Sequence, residues 1–252
     1  MPQWELTINK VSFSFYEVYI SSLRALSSMG FPYGADEDAA YLVTWLELHK
    51  LNGIKKLAEL SSKIDNKYQG KTKLEEVESK EFINLSNITL LMKGPSLFDY
   101  FLEKTKKNEN LQIVLENCID PIFIIPLAEQ LSNKIKLIHA CWINHKNKKI
   151  LINVSKNKIL IGEIKKNLKI SKKQVMLKFS MNGLSKFNNK TKLETKYTKY
   201  KINENTKQNR LETSLNPNPK DWKIISKLAH RTFVPSTKES RDKGAGGGDD
   251  ND

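Results

Sequence analysis

The apolar residues of this chain change period part-way along it. Up to residue 64 they recur at helical spacing, and between Ile135 and Phe179 they come in short β-branched runs separated by turn residues. Helical and strand patterns are segregated rather than alternating, which predicts an α+β fold. The expected parts are an N-terminal helical unit (1–64), a mainly β region built on an antiparallel sheet (65–216), and a C-terminal helix with an ordered terminal block (217–252). All three are expected to integrate into one domain.

Within the first unit, residues 4–8 alternate as a short strand. Phe15, Val18, Tyr19, Leu26 and Met29 then make a helical stripe that Gly30 stops. Asp36, Glu37 and Asp38 suit the positive end of a second helix, with Ala39, Val43 and Leu46 as its apolar face. Lys50 fits its last turn and Gly53 its C-cap. A third helix is expected over 54–64. Residues 65–81 look like a loop, 85–91 like an apolar stretch, 95–104 like a helix, and 121–131 like a buried helix or strand.

Strands follow at 135–143, 150–154, 159–164 and 175–179, with turns at 144–147 and 155–157, the pattern of an antiparallel meander. Residues 181–216 have few apolar anchors and are expected to be loop or edge, apart from a strand at 197–202. Asn218 and Pro219 open a helix with Trp222, Ile225 and Leu228 on its apolar face, stopped by Val234-Pro235. Ser236 and Glu239 have the spacing of a capping box for a further short helix ending at Gly244.

The net charge of +14 is local. Residues 1–120 hold 14 basic and 17 acidic side chains, so the excess lies beyond them, and 134–210 carries 21 basic residues against Glu163, Glu194 and Glu204. Only Arg24, Arg210, Arg231 and Arg241 are arginine. A lysine-rich bias of this kind reads as an AT-rich genome and a solvated strand face. Arginine's planar fork would be the usual choice for phosphate or base edges. The longest apolar stretch, 121–128, is far short of the roughly 20 residues that span a bilayer. The first residues have neither a basic start nor an apolar run, so a cytoplasmic protein without membrane attachment is expected. Cys118 and Cys141 are expected to be buried reduced thiols.

The residues Ala229-His230-Arg231-Thr232-Phe233-Val234-Pro235, Glu239-Ser240-Arg241, the Gly/Ala run and Asp250-Asn251-Asp252 resemble the end of a bacterial family, domain of unknown function family 3726. The segment from Leu23 through Gly34, Ala39, Trp45 and Gly53 is similar to that family's opening helices. The resemblance implies no activity. A fainter similarity links residues 35–57 to the type-2 malate/lactate dehydrogenases, in which an acidic-alanine helix leads to a Ser-His-Gly catalytic element. Here Ile54-Lys55-Lys56-Leu57 follow Gly53, the histidine is missing, and no Gly-x-Gly-x-x-Gly turn follows a strand.

Candidate sites concentrate at the C-terminus. Arg231 and Arg241 can pair bidentately with a carboxylate or phosphate, Thr232, Ser236, Thr237 and Ser240 add hydroxyls, and the amides of Gly244 and Gly246 can close around an anion. The short helix there is expected to pack on its own domain, with Phe233 and Val234 buried and Arg231 facing a cleft. Asp249, Asp250 and Asp252 have the chemistry to hold Mg²⁺ or Ca²⁺, yet an acidic end more commonly just solubilises. His139, Cys141 and His145 stand at even offsets with ligand types suited to zinc but lack a fourth ligand, so a structural strand with a buried thiol is the expectation and no metal site is assigned. His230 suits either a general base or a helix C-cap. Trp45 and Trp222 are expected in the core. No cofactor, catalytic group or oligomeric state is legible. The preferred reading is a metabolic protein binding a small anionic molecule. Its alternatives are an assembly subunit whose tail docks into a protein partner, and a non-specific polyanion binder without sequence-specific nucleic-acid recognition.

Overall fold

The computed structural model describes residues 12–70, 73–77, 80–164, 170–183 and 198–233. The chain opens with three helices, α1 (Phe15–Ser28), α2 (Ala35–Leu48) and α3 (Gly53–Ile64). A capping box between Ser14 and Glu17 starts α1. Gly30, at φ +85°, turns the chain away in a conformation that costs a residue with a Cβ. Asp36, Glu37 and Asp38 do occupy the first turn of α2. α2 ends at Leu48, however, and Lys50 and Asn52 both adopt left-handed backbone.

Gly53 is the first residue of α3 and not the C-cap of α2. Glycine is required there by a close approach, since a Cβ would lie 1.9 Å from the Val43 carbonyl oxygen. The Glu47 carboxylate caps the new helix by accepting from Ile54 N–H at 2.9 Å.

Residues 65–81 are not all loop. β1 (Lys73–Val77) and β2 (Lys80–Asn84) pair antiparallel. The next helix, α4 (Leu90–Asn108), begins five residues before the expected start and contains Pro95. Pro95 is the sixth helical residue, past the N–H groups that lack an intrahelical acceptor, so the helix gives up one hydrogen bond there, the one to the Leu91 carbonyl. Then come β3 (Asn110–Glu116), a 3-10 turn at Pro121–Phe123 and α5 (Ile124–Leu131). β3 carries no sequence expectation, although its burial alternates at period two as a half-covered strand should.

β4 (Leu137–Ile143), β5 (Lys149–Ser155) and β6 (Lys158–Ile164) form the expected meander, followed by β7 (Val175–Ser180) and β8 (Thr198–Asn203). The eight strands are ordered β1-β2-β3-β7-β4-β5-β6-β8. The sheet is mixed rather than antiparallel, because β2 and β3 run parallel with α4 as their crossover. β7 does not extend the meander; it returns to pair with both β3 and β4. Residues 204–211 form a helix, α6 (Glu204–Leu211), where loop or edge was expected, and a reciprocal Asn203/Thr206 cap starts it.

α7 (Pro219–Ala229) opens with Asn218 as N-cap and Pro219 as expected. It ends at Ala229 and passes into a 3-10 turn over His230–Thr232, so it stops before Val234-Pro235. α1, α2, α3 and α7 pack together, and α4 and α5 cover the sheet. Ile138, Ala140, Trp142, Ile113, Leu115, Val175, Leu177 and Phe179 join the buried residues of the helices in one contiguous apolar cluster. The opposite sheet face buries only a small patch around Cys141 and Leu151. No described helix is long and apolar enough to cross a membrane. The strand expected at 4–8 and the short helix expected after Ser236 lie outside the described residues.

Candidate active-site cleft

The turn linking α2 to α3 borders a large cavity. Its left-handed residues Lys50 and Asn52 bring α3 back beside the sheet, and a cleft of about 810 Å³ opens between them. One wall is this turn with Lys56, Glu59, Leu60 and Lys63 of α3. The floor is the link from β3 to α5, residues 118–122, and the far wall is the β4–β5 hairpin with Trp142 and the approach to β7 with Lys172 and Lys173. Five lysines therefore surround a partly apolar floor.

Asp120 is the buried carboxyl of that floor, only 5 % exposed. It accepts from Leu90 N–H at 3.1 and 3.2 Å and from the Thr89 hydroxyl, while Thr89 accepts from Leu91 N–H at 3.1 Å. The aspartate thus completes the N-terminal cap of α4, where the helix dipole favours negative charge. Burial outweighs these bonds and pushes its pKa up to about 6; Lys56 pulls weakly the other way. Lys56 also pairs with Glu59 at 2.6 Å. A carboxyl that titrates near neutrality inside a cationic cleft can hold or release a proton beside a bound anion.

Sequence reasoning missed this site. Asp120 stands before Pro121 with no motif around it, and only the fold brings it to Thr89 and Lys56. Of the residues expected at the C-terminal site, Arg231 and Thr232 are described. Ser236, Ser240, Arg241, Gly244 and Gly246 lie outside the described residues, as do Thr237 and the aspartates at 249, 250 and 252. Nη1 of Arg231 donates to both oxygens of the Asp65 carboxylate, at 2.9 and 2.8 Å, so its partner comes from the chain itself. The Thr232 hydroxyl donates to the Ala229 carbonyl at 2.8 Å. Phe233 is 49 % exposed rather than buried, because it lies over the Arg24 guanidinium on the surface, 4.9 Å from ring centroid to Cζ.

His139 and Cys141 lie in β4 on the sheet face away from the main core, and His145 is in the hairpin turn. Nδ1 of His139 meets Asn153 Oδ1 at 2.5 Å, and burial lowers its pKa to about 4. Cys118 and Cys141 are free and buried, and burial pushes the Cys141 thiol up to about 12. Among the described residues no group of three or more His, Cys, Asp or Glu converges as a metal site. His230 is the C-cap residue of α7 and is exposed. Trp45 is in the core, whereas Trp222 is half-buried and stacks on Phe13 with ring centroids 4.0 Å apart.

The fold so described is that of a group of dehydrogenases. A dehydrogenase from Sinorhizobium meliloti superposes with a TM-score of 0.63 at 9 % identity, over 87 % of this chain and 99 % of that one. Malate dehydrogenase from Pyrococcus horikoshii OT3 gives 0.58 at 11 %, over 90 % and 97 %. Sulfolactate dehydrogenase from Methanocaldococcus jannaschii gives 0.57 at 7 %, over 88 % and 97 %. By sequence, residues 13–111 match the model of the family described as Protein of unknown function (DUF3726). The match takes in the opening helices on which the resemblance partly rested; the C-terminal block is outside it. No curated protein sequence matches the chain.

Proposed function

We propose that this protein binds a small organic acid in the cleft between α3 and the sheet, with Asp120 as the group that exchanges a proton beside it. The carrying observation is the pairing of a buried carboxyl, its pKa raised to about 6, with a cavity ringed by Lys50, Lys56, Lys63, Lys172 and Lys173. The lysines supply long-range attraction for an anion, and the apolar part of the floor, with Ile119, Ile122 and Ile125, accepts a short carbon skeleton. Two of the proteins sharing the fold are named for malate and sulfolactate, both small carboxylates. The cleft is a better anion site than the terminal block, since Arg231 already carries a carboxylate.

Isothermal titration with malate and with sulfolactate tests the reading. Binding should weaken about tenfold in Lys56→Glu and again in Lys173→Glu. It should also fall as pH rises through about 6, when Asp120 ionises beside the ligand, and Asp120→Asn should remove that fall. Binding that ignores both lysine reversals would refute it.

A further inference from the structure

A second cavity, about 370 Å³, lies where α2, α5, β5–β6 and α6 meet, and its wall includes Trp45 and His49. These residues are one helical turn apart, with ring centroids 4.1 Å from each other, and are 1 % and 0 % exposed. Nδ1 of His49 lies 2.8 Å from Nη1 of Arg210. A guanidinium has no acceptor, so Nδ1 must accept and the ring proton of neutral His49 must sit on Nε2. Burial, reinforced by Arg210 and Lys207, lowers the pKa to about 3, which keeps the ring neutral. The Tyr200 hydroxyl donates to the His49 carbonyl and fixes the backbone. Neither Nε2–H of His49 nor Nε1–H of Trp45 has a partner among the described residues. Two adjacent buried donors left unpaired carry a desolvation cost that an acceptor would relieve.

We propose that this cavity binds a small monocarboxylate, its two oxygens accepting from Trp45 Nε1–H and His49 Nε2–H, with Lys158 as the counter-charge. Two N–H donors exclude a cation. Of the charged side chains in the wall, Lys207 is already paired with Glu129 at 3.0 Å, and Glu204 disfavours a dianion. Ser132 and Asn133 complete a polar lining suited to a small headgroup.

The proposal is independent of the cleft, and two tryptophans separate them: Trp45 lines this cavity and Trp142 lines the cleft. The indole N–H resonances of the ¹⁵N-labelled full chain are followed during titration with acetate, with acetamide and sodium chloride as controls. Assignment comes from Trp→Phe variants, by elimination should Trp45→Phe not fold. Acetate should move the Trp45 signal downfield and saturate by about 10 mM. Lys158→Glu should weaken the response about tenfold. Lys56→Glu, in the cleft, should leave it unchanged. A Trp45 signal that does not saturate with acetate means the donors serve water only and overturns the proposal. So does an equal response to acetamide or chloride, or one undiminished in Lys158→Glu.

Discussion

Replacing Gly53 by alanine tests the packing that sets the cleft. The new Cβ would lie 1.9 Å from Val43 O, 2.9 Å from Glu47 N and 3.0 Å from Leu46 Cβ. The two nearest atoms are backbone, so no rotamer change relieves the contact. Restoring about 3.4 Å would require α3 to retreat about 1.5 Å from α2, far more than close-packed interiors absorb without loss. Ile54 and Leu57, both fully buried, would move with it, and the Glu47 cap on Ile54 N–H would stretch. Overpacking of this kind costs about 1–3 kcal/mol, and rigid neighbours place it at the upper end. Alanine's helix propensity returns at most about 1 kcal/mol, and less at a first helical residue. The net loss is about 2–3 kcal/mol, or roughly 5–10 °C in melting temperature for a chain of this size. Thermal unfolding followed by circular dichroism measures it. Gly70→Ala, where the nearest atom is the Tyr68 ring at 3.4 Å, should stay within about 0.5 kcal/mol and serves as control. Gly53→Ala as stable as the parent would refute the reasoning.

Two further outcomes follow from the charges. The folded pKa of Asp120, about 6 against 3.8 for a free aspartate, means that the native state holds a proton the unfolded chain has released. Its contribution therefore falls by about 3 kcal/mol as pH rises through that window. His49 and His139, lowered to about 3 and about 4, act oppositely: their stability is present above about 6.5 and lost as pH falls. Asp120→Asn removes only the compensating group, so urea midpoints at pH 8 and pH 5 should differ more in the variant than in the parent; parallel profiles would contradict this. The lysine-rich stretch should bind DNA and RNA only weakly, with steep salt dependence. Tyr200, an aromatic of that stretch, gives its hydroxyl to His49 O and its face to Arg210, leaving it no stacking role. Fluorescence anisotropy at physiological salt checks it, and submicromolar sequence-selective binding lost in a variant of Lys196, Tyr197, Lys199 and Tyr200 would reverse the conclusion.

What the sequence disclosed follows from which signals are local. α1, α3 and α7 bury one stripe each, and α1 and α7 open with explicit side-chain caps; α2, buried on most of its faces, is marked instead by the three acidic residues of its first turn, so period and these local signals sufficed. The β4–β5–β6 meander was legible because its turns carry Asn at left-handed positions, Asn147 and Asn157. β3 is central only because α4 carries the chain across to a parallel pairing, a long-range event without a local mark. α6 has no fully buried residue and so no apolar stripe; only its capping box gives it away. Gly53 looked like a C-cap because glycine after a helix usually is one, yet its role is the close approach of two helices.

The candidate sites were hidden for a related reason. Composition drew attention to abundant lysines and scarce arginines, but abundance measures solvation, and an exposed charge is cheap to place. Groups that change chemistry are those whose burial must be repaid, and burial is a property of the fold. Asp120 is one carboxylate among 28 acidic residues until the end of β3 carries it to the N-terminus of α4. His49 follows a helix in sequence without any partner nearby. It gains Arg210 and Tyr200 only when β8 and α6 fold onto the far end of α2. The same short turn, 49–53, thus presents a neutral histidine to one cavity and Lys50, Leu51 and Asn52 to the other. The closeness of α2 and α3 at Gly53 fixes both.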